Sequence, residues 1–179
     1  EFELGKGDRY FFTDANNDPN IFEMTLESKG HIKSNEIFMN TLHLLKTKCE
    51  ELKEIINSIL INDTENERIS IYVTPNNMDA IEIKMVNETH TIGSLIQAIA
   101  TKLFDHNTLK FIGYKHPHPL KNFIIVKLQT ETNSSAEINK VMTDTFNKII
   151  DTIDSLIMQT ETHFKPPVKK KLKIKKKST

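Results

Sequence analysis

Two stretches of this chain carry apolar residues at alternating steps of four and three. In the first, Phe38, Leu42, Leu45, Cys49, Leu52, Ile56 and Ile59 keep that rhythm; in the second, Met142, Phe146, Ile149, Ile153 and Leu156 repeat it. Such spacing places one apolar stripe on one side of an α-helix. It predicts a helix opened by Ser34 as N-cap, with Glu36 in its first turn, and a second helix from about Ser135 to His163. Burying the first stripe is worth on the order of 10–20 kcal/mol gross, most of it offset by conformational entropy. The stripe is short for a free coiled coil, so it needs a partner surface. That surface is the second helix or another chain across a dimer.

Between the stripes the period changes. Residues 62–67, Asn-Asp-Thr-Glu-Asn-Glu, form a polar linker and the best internal boundary. Beyond it the pattern reads strand (69–74), turn at Pro75-Asn76-Asn77, strand (80–86), helix (about 91–104) and two more strands (108–114 and 122–130). Ahead of the first stripe, residues 1–20 read as mostly loop, with Asp14-Ala-Asn-Asn-Asp-Pro-Asn20 dense in turn formers. Residues 21–28 then alternate, with Phe22, Met24 and Leu26 on one face and Glu23, Thr25 and Glu27 on the other, which predicts a half-buried strand ended by Lys29-Gly30. The class is α+β: an antiparallel sheet with two long packing helices.

The formal charge of zero hides an asymmetry. Residues 165–179 hold eight lysines and no acid; taking those eight from 24 leaves 16 basic against 24 acidic residues in the rest, a net of −8. Pro166-Pro167 stops the last helix. A run of lysines broken only by Val168, Leu172 and Ile174 builds no core, which predicts a disordered tail. Lys169, Lys170, Lys171, Lys173, Lys175, Lys176 and Lys177 are the candidates for contact with nucleic-acid phosphates, which would be salt-sensitive and blind to sequence. An import signal and simple solubility are the other readings of the tail. Cys49 is the single cysteine, which leaves no internal disulfide and no cysteine-based metal site. No run approaches the roughly 18 apolar residues of a membrane span.

Two short motifs carry the remaining information. Glu88-Thr-His-Thr-Ile-Gly93 opens an amphipathic helix, with Thr91 the expected N-cap and Gly93 allowing close approach to the first turn. Phe111-Ile-Gly-Tyr-Lys-His-Pro-His-Pro-Leu120 links two strands. Its two prolines fix φ and remove two donors, so a rigid connection is the plain reading. His116 and His118 form a His-x-His pair, but no third or fourth ligand stands at a fixed spacing, so neither metal nor cofactor is expected. The sequence has no Gly-rich phosphate loop, nucleophile elbow, His-Glu-x-x-His or Asp-x-Asp-x-Asp.

The two motifs in this order resemble the small assembly subunits of cellular RNA polymerases: the eleventh subunit of the eukaryotic enzyme, the archaeal L subunit and, more distantly, the bacterial alpha dimerisation domain. The resemblance covers residues 68–164 and rests on Glu88, His90, Thr91 and Gly93 with Phe111, Gly113, Tyr114, Pro117, His118 and Pro119. Residues 21–60 resemble the end of the third subunit, or archaeal D, through Glu27-Ser28-Lys29-Gly30 and the Leu42–Lys48 segment. Together they resemble a fused third/eleventh subunit of the kind found in large cytoplasmic DNA viruses of the African swine fever virus type. The absent first strands and the initial Glu1 lead to the expectation of a C-terminal half of a longer subunit.

What the resemblance implies is a non-catalytic platform with the alpha/L-like dimerisation fold. Residues 1–61 would be the third-subunit-like part, 62–67 the linker, 68–164 the eleventh-like domain and 165–179 the tail. The implied interface residues are Phe38, Leu42, Leu45, Leu52 and Ile56 with Phe146, Ile149 and Ile153 on the helices, and His90, Thr91, Gly93, Gly113, Tyr114, Pro117, His118 and Pro119 at the motifs. The implied partners are the largest and second-largest polymerase subunits and the small ones. DNA or RNA would be reached only indirectly or through the tail, and no membrane is involved. The implied location is host cytoplasm and virion for a viral protein, otherwise intracellular. The alternative is a nucleic-acid-binding protein acting through the lysine tail.

Overall fold

The computed structural model describes residues 21–74 and 80–164. The turn expected at 75–77, the loop expected at 1–20 and all seven candidate tail lysines lie outside the described residues. The chain divides into two compact units, Glu1–Phe38 and Met39–Thr179.

In the first unit, the strand expected over 21–28 is not formed. Phe22 is 73% and Met24 80% exposed, and among the described residues no strand pairs with this segment. Alternation records which way side chains would face. A strand exists only where a second backbone accepts its N–H and C=O groups. The Ser28 hydroxyl donates to the Ile32 carbonyl and accepts from the Gly30 N–H, closing a bend ahead of helix α1 (Ser34–Asn62). The Lys33 carbonyl accepts from the Ile37 N–H, so Lys33 holds the capping position and Ser34, the expected N-cap, is already helical.

Among the described residues the second unit carries four strands, β1 (Ile69–Thr74), β2 (Ala80–Val86), β3 (Leu109–Lys115) and β4 (Phe123–Thr130). Two further helices are α2 (His90–Leu103) and α3 (Ser135–Phe164). The sheet is antiparallel throughout, in the order β1-β2-β4-β3. Ile81, Ile83 and Met85 of β2 stand opposite Leu128, Val126 and Ile124 of β4. All six are buried, and they form the centre of the inner sheet face. The alternate residues Glu82, Lys84, Lys127 and Ile125 look the other way and are only half-buried. A register shift between Leu109 and Phe111 lets Leu109 stay in the core while Phe111 turns outward.

Helix α3 begins at a side-chain cap. The Glu137 N–H donates to the Ser134 hydroxyl, and the Glu137 carboxylate accepts from the Thr132 N–H. That backbone bond, followed by those from the Thr130 and Thr132 hydroxyls, holds the Glu137 carboxyl below its ordinary pKa. Helices α1 and α3 run antiparallel and are tied by three side-chain pairs: Lys46 to Asp154 at 2.7 Å, Lys53 to Asn147 at 3.4 Å and Thr143 to Asn57 at 2.8 Å. Steps of seven and four along α1 are matched by equal steps back along α3. The Lys46 ammonium is held above its ordinary pKa first by its hydrogen bond to Asp154.

The stripes agree with this pairing except at their ends. Leu42, Cys49, Leu52 and Ile56 are buried on α1, and Met142, Phe146, Ile149 and Ile153 on α3. Phe38, Leu45 and Ile59 are half-buried. At the far end of α3 the expected Leu156 is 43% exposed and its neighbour Ile157 is 8% exposed. A helix of 3.6 residues per turn drifts off a strict heptad, so the stripe continues four residues after Ile153 rather than three.

Candidate subunit interface

The fold brings the two sequence motifs to one end of the sheet. β2 is followed by Asn87, whose positive φ of 63° turns the chain toward α2. The Asn87 N–H donates to the Asn122 carbonyl at 2.8 Å, and the Asn122 side-chain amide donates to Asn87 Oδ1 at 2.6 Å. This doubled clamp fixes the β2–α2 corner against the entry to β4. Thr89, extended at φ −122°, holds the N-cap position; the Gly93 N–H donates to its carbonyl, and its side chain makes no capping bond. The expected cap, Thr91, therefore lies inside the first turn and is exposed.

On this corner sits Tyr114 of β3. A Cβ placed on Gly93 would come within 2.3 Å of Tyr114 Cδ2, so the bare glycine backbone is the floor on which the ring rests. The Tyr114 N–H donates to Gln97 Oε1 at 3.3 Å, and its hydroxyl lies 3.3 Å from His90 Nδ1. The His116 ring stacks tilted on His90 with centroids 5.1 Å apart. Gly113 has a different reason to be small: a Cβ there would stand 3.0 Å from the Phe111 ring. Past β3, His118 Nδ1 accepts from the Leu120 N–H at 3.1 Å and its carbonyl accepts from Lys121, which folds Pro117-His118-Pro119-Leu120 into a tight projection. Pro117, His118 and Pro119 are exposed, and Leu120 is 89% exposed. Among the described residues no group of three or more metal-ligating side chains is assembled, and no helix is long and apolar enough to cross a membrane.

One residue of the first motif does something that spacing could not reveal. Glu88 is fully buried, with Lys48 Nζ of α1 2.9 Å from one oxygen and an Arg68 nitrogen 3.7 Å from the other. These are ion pairs by distance; neither oxygen receives a well-aligned hydrogen bond. Arg68 also reaches Glu51 at 3.3 Å. The network ties α1 to the residue before β1 and to the β2–α2 corner. Its neighbour Cys49 is buried, which pushes its thiol up to about 11, with the Glu88 charge adding to the effect. Glu88 stands in the first motif, but its polar neighbours Asn87, Thr89 and His90 gave no sign of its burial. Lys48 and Arg68 gave none, because their role depends on a contact across 20 to 40 residues of sequence.

Of the expected interface residues, the structure brings His90, Gly93 and Tyr114 into one cluster, with Thr91 in the same helical turn and Pro117, His118 and Pro119 on the projection beyond β3. Leu42, Leu52, Ile56, Phe146, Ile149 and Ile153 lie in the interior of the chain itself. Asn87, Gln97, His116 and Asn122 join the cluster although the motifs did not single them out for it.

Comparison with known proteins agrees with this geometry. The profile of the RNA polymerase Rpb3/Rpb11 dimerisation domain matches residues 80–159. The chain is 32% identical over 82 residues to the DNA-directed RNA polymerase subunit Rpo11 of Sulfurisphaera tokodaii, a match covering 42% of this chain and 84% of that one. It is 33% identical over 51 residues to the probable DNA-directed RNA polymerase II subunit RPB11 of Caenorhabditis elegans, covering 28% of this chain. It is 26% identical over 95 residues to the DNA-directed RNA polymerases I and III subunit RPAC2 of Saccharomyces cerevisiae, covering 52% of this chain. These last two matches span 39% and 64% of the relatives' own lengths. With its four-stranded antiparallel sheet and paired long helices, the chain belongs to the RNA polymerase Rpb3/Rpb11 dimerisation domain family.

Proposed function

We propose that this chain is a non-catalytic assembly-platform subunit of a multisubunit DNA-directed RNA polymerase, with a third-subunit-like helix and an eleventh-like module fused in one polypeptide. The observation that carries the reading is the antiparallel α1–α3 pair, tied at Lys46–Asp154, Lys53–Asn147 and Asn57–Thr143. Joining the two modules through residues 62–67 makes their association intramolecular, so the platform forms ahead of assembly. The exposed projection Pro117–Leu120 and the His90–Tyr114 corner then dock the largest and second-largest subunits. The fused arrangement fits a viral subunit of the African swine fever virus type, working in host cytoplasm and carried in the virion.

Tagged pull-down from the native source, with mass spectrometry of what co-purifies, tests this. Recovery of two very large subunits near one-to-one is expected. Recovery of nucleic acid without them overturns the reading and leaves the lysine tail as the functional element.

A further inference from the structure

Among the described residues strand β1 is an edge of the sheet, and nothing in its sequence blunts it: Ile69-Ser-Ile-Tyr-Val-Thr74 has no charge and no proline. The Val86 N–H donates to the Arg68 carbonyl, which fixes the hydrogen-bonding phase of the β1–β2 ladder. Alternation then directs the main-chain groups of Ile69, Ile71 and Val73 toward the open edge. Ile69 N–H is met by Asn66 Oδ1 at 3.3 Å. Alongside this edge runs an open groove of about 690 Å³, bounded by Ile59 of α1, by the linker and by β1. Ile59 and Ile71 supply its apolar part beside Ser70 and Tyr72, and its rim carries Asp63, Glu65 and Glu67, with no lysine or arginine among the described lining residues. Among the described residues none of these three carboxylates has an ion pair closer than 4.0 Å.

An acidic-rimmed groove with an apolar patch beside a strand edge fits an extended segment that alternates lysine with branched apolar residues. The chain contains one: Lys171-Leu-Lys-Ile-Lys175. We propose that this segment of a second copy adds to the β1 edge. Leu172 and Ile174 would face Ile59 and Ile71, and the lysines would meet the acidic rim. The same chain's segment is too short a tether. In the α1–α3 register Ile59 lies opposite residue 141, so Phe164 is about 35 Å away along α3. The eight residues from Phe164 to Leu172 span at most about 28 Å. The inference is independent of the polymerase reading.

Sedimentation of the full chain in low salt tests it. Self-association with a Kd on the order of 10–100 µM is expected, weakening as salt rises. Glu65→Lys with Glu67→Lys should give a monomer, and so should Leu172→Asp with Ile174→Asp. Mixing the two double variants should restore a heterodimer, because each supplies the half that the other lacks. Circular dichroism checks that both remain folded. A wild-type chain that stays monomeric at about 500 µM, association that survives either pair of changes, or a mixture that fails to associate overturns the proposal.

Discussion

The ring of Tyr114 occupies the place that a side chain on Gly93 would need, with ring atoms 2.3, 2.6 and 2.8 Å from the position of a Cβ. This contact joins two motifs about 20 residues apart. It makes a glycine in a helix interior, ordinarily unfavourable by about 1 kcal/mol against alanine, the residue that fits.

Gly93→Ala should therefore destabilise the protein by about 1–3 kcal/mol, because overpacking against a ring seated on β3 outweighs the gain in helix propensity. In a Tyr114→Ala background the same change should become neutral or mildly stabilising. Urea unfolding of the four proteins of this double-mutant cycle measures the coupling. Gly113→Ala is the contrast: the Phe111 ring is exposed and can swing aside, so the cost should stay below about 1 kcal/mol.

Removing Lys48 should expose how strongly Glu88 depends on it. Lys48→Met leaves a fully buried carboxylate with only Arg68, 3.7 Å away. Breaking a buried pair typically costs about 3–5 kcal/mol, and partial solvation of the lysine lowers this to about 2–3. Arg68→Met should cost less. Equal, negligible losses in both variants would remove Glu88 from the role of joining α1 to the corner.

Cys49 gives an alkaline signature. Its pKa is raised by burial to about 11 from 9.0, so above pH 9 the unfolded chain releases a proton that the folded chain keeps. The stability this reflects is complete below pH 9 and is lost as pH rises toward 11, by about 2–3 kcal/mol. Cys49→Ala should flatten that limb of the stability curve, leaving the smaller contribution of Lys46, whose raised pKa acts in the same direction. Thiol labelling of the native protein at pH 8 should proceed only as fast as unfolding.

The end of α3 separates two ways of reading the apolar stripe. Ile157→Ala should cost about 1–3 kcal/mol. Leu156→Ala, on the strict heptad but exposed, should stay within about 0.5 kcal/mol. Thermal or urea unfolding of the two variants decides it, and the reverse ranking would mean that α3 follows the heptad to its end.

Much of this molecule was legible in its residues. The four strands and three helices of the described region follow from period changes, and their boundaries fall within a residue or two of the expected ones. Local chemistry sets these features: which side chains share a face, where φ is fixed and where a donor is missing. The closeness of something to Gly93 was also legible, since an unsubstituted residue at a helix start announces it. Residues 21–28 show the limit. Their alternation is real, but pairing depends on a second backbone, and no local pattern records whether one is near.

The sequence by itself determined the elements, the two apolar stripes and the family motifs. Only the tertiary structure decided that Tyr114 is what covers Gly93, that α1 meets α3 within one chain, and that Glu88 is buried between Lys48 and Arg68. The physical reason is range. Propensity and periodicity act over a few residues along the chain. Ring packing, ion pairing and burial act across a few ångströms of space, between residues that the chain itself holds far apart.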